Sequence, residues 1–385
     1  MLKLNRLFST VTAPTFHDAI TPNSEQRGVL ESAKTTIRDF LRKEIHDATV
    51  SELGMPSPVT PRFRTQGSWS YGTCCQPAWP ATQQIDWDFG IYLPVTVWET
   101  NGPPHAMAKL YFEFVEKRLE KLCRKMGWQL LSGKNTCIRV EVAPYAHIDL
   151  PLYAAPEREF ERIYERLTKA ERRRADSAVV TMDSAEEQDW ADLRQVVLAQ
   201  RSGEWKVSDP EEIARWFRDR LLEHTDQLQR VCMYLKAWRD FQYPAGNGPT
   251  SVGIMVAIAA DYTVFRGRDD LALETAADLL SRAVRDPIRC EGVDRCDEDF
   301  NKRLSDGEKA EAARKAATLA AEVKRARLLP SGLLSAQEAI RILTAQLGER
   351  VPQDANQIDS DGGEDIRSVP PRRVPPPAVK STQAG

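Results

Sequence analysis

The sequence has no hydrophobic run long enough to cross a bilayer. Its longest apolar stretch runs from Val252 to Ala260 and includes Gly253, whereas a transmembrane helix needs about 20 predominantly apolar residues. The first 16 residues contain Lys3 and Arg6 but no apolar core followed by a cleavage site. We therefore expect neither a secretory signal nor an association with a membrane, and interpret this segment as a short N-terminal arm.

Paired cysteines and an excess of charge are also missing. The seven cysteines show no Cys-x-x-Cys spacing, which argues against a structural zinc site. An odd number of scattered thiols is typical of a reduced intracellular protein, so we expect a cytoplasmic location. With 53 Lys and Arg against 56 Asp and Glu, the net charge is −3. A polyanion would therefore have to bind a local patch.

The residue pattern divides the chain into three parts. An apolar stripe predicts an amphipathic helix over 24–48, and short extended runs between 61 and 153 predict a mixed sheet with one helix over 106–126. Further helices are predicted over 157–174, 209–223, 225–241, 250–265, 269–284, 308–327 and 335–347. We expect an N-terminal arm, long helix and sheet core over 1–156, a helical lobe over 157–347, and a flexible Pro-rich tail over 348–385.

Three carboxylates on predicted strands are the strongest functional signal. Asp86 and Asp88 alternate with Trp87 and Phe89, so both carboxylates face one side of the strand and both aromatic rings face the other. Two carboxylates this close repel each other unless a cation intervenes, and Mg²⁺ prefers such oxygen ligands. Asp149, on a neighbouring predicted strand, is expected to complete a site for two Mg²⁺ ions, which Mn²⁺ could replace.

A Gly-Ser pair precedes the acidic strand. Gly67 would let the backbone approach a phosphate closely, and Ser68 would add a hydroxyl donor at the start of a helix. A lone Asp-x-Asp pair is usually a solvated strand edge, and a lone Gly-Ser pair is a weaker signal still. The turn and the three acids in this order favour phosphoryl transfer, in which two ions activate a hydroxyl and neutralise the leaving pyrophosphate.

This arrangement resembles the nucleotidyltransferase signature of the DNA polymerase β superfamily. The segments 66–68, 84–88 and 147–153 are similar to the cGAS/DncV-like bacterial nucleotidyltransferases, in particular the cyclic GMP-AMP synthase branch. The resemblance covers roughly residues 24 to 345, and it is supported by the later segments 205–210, 236–240, 248–251 and 297–301.

The resemblance implies an α+β fold with a polymerase β-like mixed sheet and helices, plus a C-terminal helical lobe that completes the nucleotide pocket. It implies an enzyme that makes a cyclic dinucleotide second messenger, 3′,3′-cyclic GMP-AMP, from ATP and GTP in anti-phage (CBASS) defence. The messenger would act on a downstream effector. The sequence lacks the zinc-binding insertion of the animal enzymes and a concentrated basic stretch, so activation by double-stranded DNA is not expected.

The resemblance also implies roles for individual residues. Asp86, Asp88 and Asp149 would be catalytic and hold both ions, and Asp149 would help to take the proton of the attacking hydroxyl. The predicted nucleotide contacts are Gln66, Gly67, Ser68, Lys236 and Ser251 to phosphates, Tyr71 to a base by stacking, and Asp297 or, alternatively, Asp299 to a base edge. Lys236 lies on an otherwise apolar helix, where it faces either a triphosphate or solvent.

Two further features concern the pocket edge and the C-terminus. Between Ser68 and Asp86 there are 17 residues, including Pro77 and Pro80, which predicts a long loop beside the pocket. The tail ends at Gly385 and resembles tails that ubiquitin-transfer-like partners conjugate. Gly385 is therefore a candidate conjugation site, with an inert frayed terminus as the alternative.

Two other functions stay open at this point. A polymerase β-type transferase could add nucleotides to RNA or another acceptor, but RNA calls for a basic track with aromatic stacking platforms, and no such cluster is visible. A nucleotide-sensing pseudo-enzyme is expected to have lost at least one of the three acids, and all three are present.

Overall fold

The computed structural model describes residues 1–55, 57–95, 105–156, 196–207, 210–290, 293 and 298–360. Its strands are β1 (Leu2–Lys3), β2 (Arg62–Gln66), β3 (Ile85–Val95), β4 (Gln129–Leu131), β5 (Ile138–Ala143), β6 (Ala146–Leu150), β7 (Leu152–Pro156), β8 (Val197–Ala199), β9 (Trp205–Val207) and β10 (Asp359–Ser360). Its helices are α1 (Asn5–Phe8), α2 (Phe16–Ile20), α3 (Ser24–Leu53), α4 (Gly67–Ser70), α5 (His105–Met126), α6 (Pro210–Gln242), α7 (Ser251–Ala259), α8 (Asp269–Ala283), α9 (Asp306–Arg327) and α10 (Leu333–Leu347). No helix within these ranges combines the length and the apolar character needed to cross a membrane.

Strands β2 to β9 form one mixed sheet, as the sequence predicts. Strand β3 has parallel partners at both of its ends, because residues 85–88 pair with β6 and residues 91–95 pair with β7. Pro151 separates these two partner strands, and its carbonyl oxygen accepts a hydrogen bond from the backbone N–H of Ile91 at 2.9 Å. Strand β2 pairs antiparallel with β3. Strand β3, which carries Asp86 and Asp88, therefore lies in the interior of the sheet, with β2 on one side and β6 and β7 on the other.

Helices α3 and α5 share a hydrophobic core with the sheet. The predicted apolar stripe of α3 is buried, with Ile37 and Ile45 fully inaccessible and in one cluster with Ile148 and Trp87. Helix α3 begins after Asn23, whose side-chain oxygen accepts a hydrogen bond from the backbone N–H of Gln26 at 2.9 Å. This packing fixes the apolar face of the sheet and leaves the other face for polar side chains.

The N-terminal arm belongs to the helical half of the molecule. Leu4 and Phe8 are buried in a second core built mainly by helices α6 to α10. The backbone N–H of Leu4 donates to the Asp270 carboxylate at 3.1 Å, and the Tyr234 hydroxyl donates to the carbonyl of Phe8 at 3.2 Å. The expectation that the arm groups with the sheet core over 1–156 is therefore wrong for residues 1–20, because their apolar side chains fill the helical lobe.

The chain also stays packed beyond α10. Strand β10 pairs antiparallel with β1, Val351 is buried, and the Gln357 amide donates to the carbonyl of Pro14 at 3.1 Å. The prediction of a flexible tail is therefore wrong for residues 348–360, which close the helical lobe against the N-terminus. Residues 361–385, and residues 157–195 of the predicted lobe, lie outside the described part of the chain.

Helix α6 consists of two helices that meet at Thr225. The backbone of Thr225 has φ 64° and ψ 179°, a combination that is essentially restricted to glycine. The separate helices predicted over 209–223 and 225–241 correspond to these two parts. The second part carries Lys236 toward the sheet.

Candidate active site

Strand pairing brings the three predicted acids together. In the parallel ladder between β3 and β6, Asp86 lies opposite His147 and Asp88 lies opposite Asp149. A carboxylate oxygen of Asp86, a ring nitrogen of His147 and a carboxylate oxygen of Asp149 all lie within 4.8 Å of one another. The structure thus places Asp86, Asp88 and Asp149 at one point of the sheet, and their chemical roles stay predictions.

The opposite face of β3 fixes the direction of these acids. Trp87 and Phe89 are both buried there, as the alternating pattern predicts. Trp69 stacks on Trp87 with ring centroids 4.1 Å apart, and its indole N–H donates to the carbonyl oxygen of Asp86 at 2.9 Å. Because the rings of Trp69 and Trp87 pack against one face of β3, the Asp86 and Asp88 carboxylates project from its other face.

The Gly67 turn lies directly against Asp88. Gly67 has φ +60°, and a Cβ atom at this position would lie 2.1 Å from Asp88 Oδ2. Both the backbone conformation and the contact distance therefore require glycine. The short helix α4 begins here, and the backbone N–H of Thr73 donates to the carbonyl of Ser68 at 2.8 Å. The Gly67 turn thus packs directly against Asp88 of strand β3.

The three acids experience very different electrostatic surroundings. Burial and the neighbouring carboxylates of Asp86 and Asp149 raise the pKa of Asp88 to about 8. Burial would also raise the pKa of Asp149, but hydrogen bonds from Arg139 and Lys134 outweigh this effect and lower it to about 2. Lys134 Nζ lies 2.7 Å from Asp149 Oδ2, and Arg139 Nε lies 2.6 Å from Asp149 Oδ1.

The donor set at this point fits a divalent cation. Asp86 Oδ1 and His147 Nε2 are buried atoms 2.9 Å apart, and neither makes a well-directed hydrogen bond. The other ring nitrogen of His147 contacts the Gln84 side-chain oxygen at 2.9 Å, which orients the ring. Carboxylate oxygens crowded on one face are the ligands that Mg²⁺ and Mn²⁺ prefer.

A cleft of about 470 Å³ extends from Asp86 and Asp88 to the helical lobe, and Asp149 lies behind its lining. The sheet contributes Asp86 and Asp88 to its lining, whereas α6 contributes Lys236 and Arg239. Lys236 is only 4% exposed and donates to the carbonyl of Thr73. Arg139 of the sheet and Asp240 of α6, which pairs with Arg239, also line the cleft. Carboxylates and cationic side chains therefore surround one space, an arrangement that suits an anion accompanied by metal ions.

Most of the predicted nucleotide contacts line this cleft. They are Gly67, Ser68, Tyr71, Lys236 and Ser251. The Ser251 hydroxyl accepts a hydrogen bond from Arg239 at 3.2 Å, and the Tyr71 ring is buried edge-to-face against Phe217. Little of that ring is accessible for base stacking.

Gln66 is placed differently. Its side-chain amide is buried, donates to the Tyr92 hydroxyl at 2.6 Å and accepts from the Tyr153 hydroxyl at 3.1 Å. The Gln66 side chain therefore supports the sheet beneath Asp88 and is not in the lining of the cleft. Asp297 and Gly385 lie outside the described residues, so their predicted roles stay predictions.

Sequence reasoning missed three polar residues of the site: His147, Arg139 and Lys134. His147 precedes Asp149 by two residues on one strand, so the same period-two argument that selected Asp86 and Asp88 could have found it. Arg139 faces Asp149 across the antiparallel β5–β6 ladder, and Lys134 reaches it from a loop. Neither contact follows from local spacing.

Comparisons with known proteins agree with this geometry. Residues 61–153 match the family described as "Cyclic GMP-AMP synthase DncV-like, nucleotidyltransferase domain", and residues 225–360 match "Cyclic GMP-AMP synthase, C-terminal domain". A cyclic GMP-AMP synthase of Vibrio cholerae is 36% identical over 239 residues, which is 59% of this chain and 52% of that protein. One from Escherichia coli is 35% identical over 205 residues, or 51% of this chain and 46% of that protein.

Solved structures show the same fold. A structure of the Vibrio cholerae DncV cyclic AMP-GMP synthase superimposes with a TM-score of 0.73 at 22% identity, covering 93% of this chain and 98% of the other. An Escherichia coli DncV structure gives a TM-score of 0.70 at 23% identity, covering 93% and 100%. The chain spans about half the length of the curated relatives that it matches. Together, the two family matches cover more than half of this sequence, and the chain belongs to the DncV-like nucleotidyltransferases.

Proposed function

We propose that this protein is a Mg²⁺-dependent nucleotidyltransferase that joins ATP and GTP into a cyclic dinucleotide, 3′,3′-cyclic GMP-AMP. The observation that carries this proposal is the convergence of Asp86, Asp88 and Asp149 beside the Gly67 turn. The cationic side chains of α6, foremost Lys236, lie across the same cleft.

Asp86, Asp88 and Asp149 would hold the divalent ions. When bound, two such ions lower the pKa of an attacking hydroxyl and offset the charge of a leaving pyrophosphate. Asp88 is the group that gains most from a nearby cation, because burial and two other carboxylates disfavour its ionised form. His147 Nε2 lies 2.9 Å from Asp86 Oδ1 on the neighbouring strand and would be a further donor atom for an ion.

The chain's own residues would hold the donor triphosphate from two sides. Gly67 and Ser68 approach it from the sheet, while Lys236 and Ser251 approach it from the helical lobe. The 3′-hydroxyl oxygen of one nucleotide forms a bond to the α-phosphorus of the other, the bond from that phosphorus to the bridging oxygen breaks, and pyrophosphate leaves. A second transfer of the same kind closes the ring.

The attacking hydroxyl must lose its proton during each transfer. Asp149 is the predicted acceptor, but with a pKa of about 2 it is a weak base while Arg139 and Lys134 contact it. Proton transfer to Asp149 therefore requires that at least one of these contacts be broken. While both contacts persist, Asp149 holds the Arg139 and Lys134 side chains in place beside the other two carboxylates.

The relatives and the cleft size support these substrates. One Vibrio cholerae DncV structure contains the linear intermediate 5′ pppA(3′,5′)pG, and a mutant of that protein binds ATP and GTP. The cleft volume of about 470 Å³ lies within the range of roughly 300–1,000 Å³ that is usual for small-molecule sites. Anti-phage defence and action through an effector in the cytoplasm complete the proposal.

Purified protein incubated with ATP, GTP and Mg²⁺ tests the proposal. We expect a phosphatase-resistant product without added acceptor, identified by mass spectrometry, and no product from Asp86→Asn/Asp88→Asn. The control Asp39→Asn/Asp47→Asn removes two exposed carboxylates of α3 and should retain synthesis. Undiminished synthesis by the site variant would contradict the proposal, and a product that forms only with added RNA would indicate a terminal transferase.

A further inference from the structure

Asp149 makes an unusual number of cationic contacts for a predicted metal ligand. Its Oδ2 atom lies 2.7 Å from both Lys134 Nζ and Arg139 Nη2, and its Oδ1 atom lies 2.6 Å from Arg139 Nε. The Asp149 side chain is only 6% exposed. Its oxygens therefore have little room for a further cation unless one of the present contacts is released.

The two cations differ in how easily they can leave. Arg139 lies within strand β5 directly opposite Asp149 and makes two parallel hydrogen bonds to it, a geometry that holds guanidinium groups firmly. Lys134 reaches the carboxylate from the loop between β4 and β5, with a single contact and a side chain that is 43% exposed. Lys134 is thus the contact that can be exchanged, because its ammonium can turn into solvent.

The backbone of the Lys134 loop is nevertheless held in place. Arg201 Nε donates to the carbonyl of Lys134 at 3.1 Å, and the backbone N–H of Arg201 donates to the carbonyl of Asn135 at 2.8 Å. Arg201 is itself paired with Glu116 of α5 through both terminal guanidinium nitrogens. The loop therefore keeps the Lys134 ammonium within reach of Asp149 while the side chain stays free to swing.

We propose that Lys134 competes with a divalent cation for Asp149 Oδ2 and thereby sets the affinity of the catalytic site for metal. The inference rests on the proposed function, because it takes Asp149 as a metal ligand. An ammonium and a divalent ion on one carboxylate oxygen repel each other strongly in a partly buried site. Metal binding therefore displaces Lys134 from Asp149 Oδ2, while the two hydrogen bonds from Arg139 stay in place.

Titration with Mn²⁺ alone, with free Mn²⁺ measured by electron paramagnetic resonance at fixed pH, tests this without a catalytic readout. Lys134→Met should bind Mn²⁺ about tenfold more tightly than the wild type, a change typical of coupled sites. Lys134→Arg keeps the charge and should leave the affinity near the wild-type value. Lys125→Met removes an exposed lysine of α5 and should have no effect.

Thermal unfolding in chelator shows whether each variant is folded, and Lys134→Gln serves if Lys134→Met is not. Unchanged or weaker Mn²⁺ binding by a folded, charge-removing Lys134 variant would overturn the inference while leaving the proposed function standing. A wild-type protein that binds no Mn²⁺ would instead overturn the proposed function. The two failures are therefore distinguishable in one titration series.

Discussion

Replacing Gly67 by alanine should reduce synthesis at the site far more than its modest cost in stability explains. An alanine Cβ would lie 2.1 Å from Asp88 Oδ2, whereas separations below 3.0 Å are not tolerated, so the Asp88 carboxylate must retreat by about 1 Å. Such a displacement of a catalytic group can cost about 100-fold in rate. The positive φ of +60° adds backbone strain of about 1–2 kcal/mol.

Gly54→Ala is the matched control. Gly54 has nearly the same backbone angle, φ +66°, but a Cβ there would meet nothing within 4 Å. Urea unfolding should show similar losses of stability in both variants, whereas only Gly67→Ala should lose Mn²⁺ binding and most of its cyclic dinucleotide synthesis. Equal activity of the two variants would refute the argument that Gly67 exists to make room for Asp88.

Two further predictions concern the helical lobe. Burial would raise the pKa of Asp269, but hydrogen bonds from Arg230 and other partners outweigh burial and lower it. The ionised carboxylate therefore stabilises the fold above the unfolded pKa of about 4, and this stabilisation is lost as the pH falls through the lower folded pKa. Asp269→Asn should cost about 3 kcal/mol at pH 7 and weaken the loss of stability toward acid pH in urea unfolding, and an unchanged acid dependence would argue against this role. Thr225→Gly should stabilise the protein by about 1 kcal/mol, because relief of the strain at φ 64° and ψ 179° outweighs the loss of the hydroxyl that accepts from the backbone N–H of Gln227. Thr225→Ala loses the same hydroxyl without relieving the strain and should destabilise the protein. Calorimetric shifts of the same sign would contradict this.

Periodic patterns predicted the elements that position the site. The alternation around Asp86 and Asp88 gave the correct strand and the correct face, because side chains on a strand alternate regardless of its partners. The apolar stripe of α3 similarly predicted its buried face. These features depend on the local sequence, so they can be read without knowing the fold.

Features that depend on residues far apart in the sequence either go unpredicted or are predicted wrongly. The N-terminal arm was grouped with the sheet because its apolar residues do not reveal that Leu4 binds next to Asp270, 266 residues away. Gln66 follows the nucleotide-binding pattern, but its amide is used by Tyr92 and Tyr153. Arg139 meets Asp149 only because β5 and β6 pair in one particular register.

Anomalous diffraction at the manganese edge, from crystals grown with Mn²⁺ and a non-reactive ATP analogue, would locate the metal ions relative to Asp86, Asp88 and Asp149. We expect two manganese peaks about 4 Å apart, with carboxylate oxygens of Asp86 and Asp88 on both ions and Asp149 on one of them. Peaks that lie away from these carboxylates, or nucleotide bound without manganese beside Asp88, would contradict it.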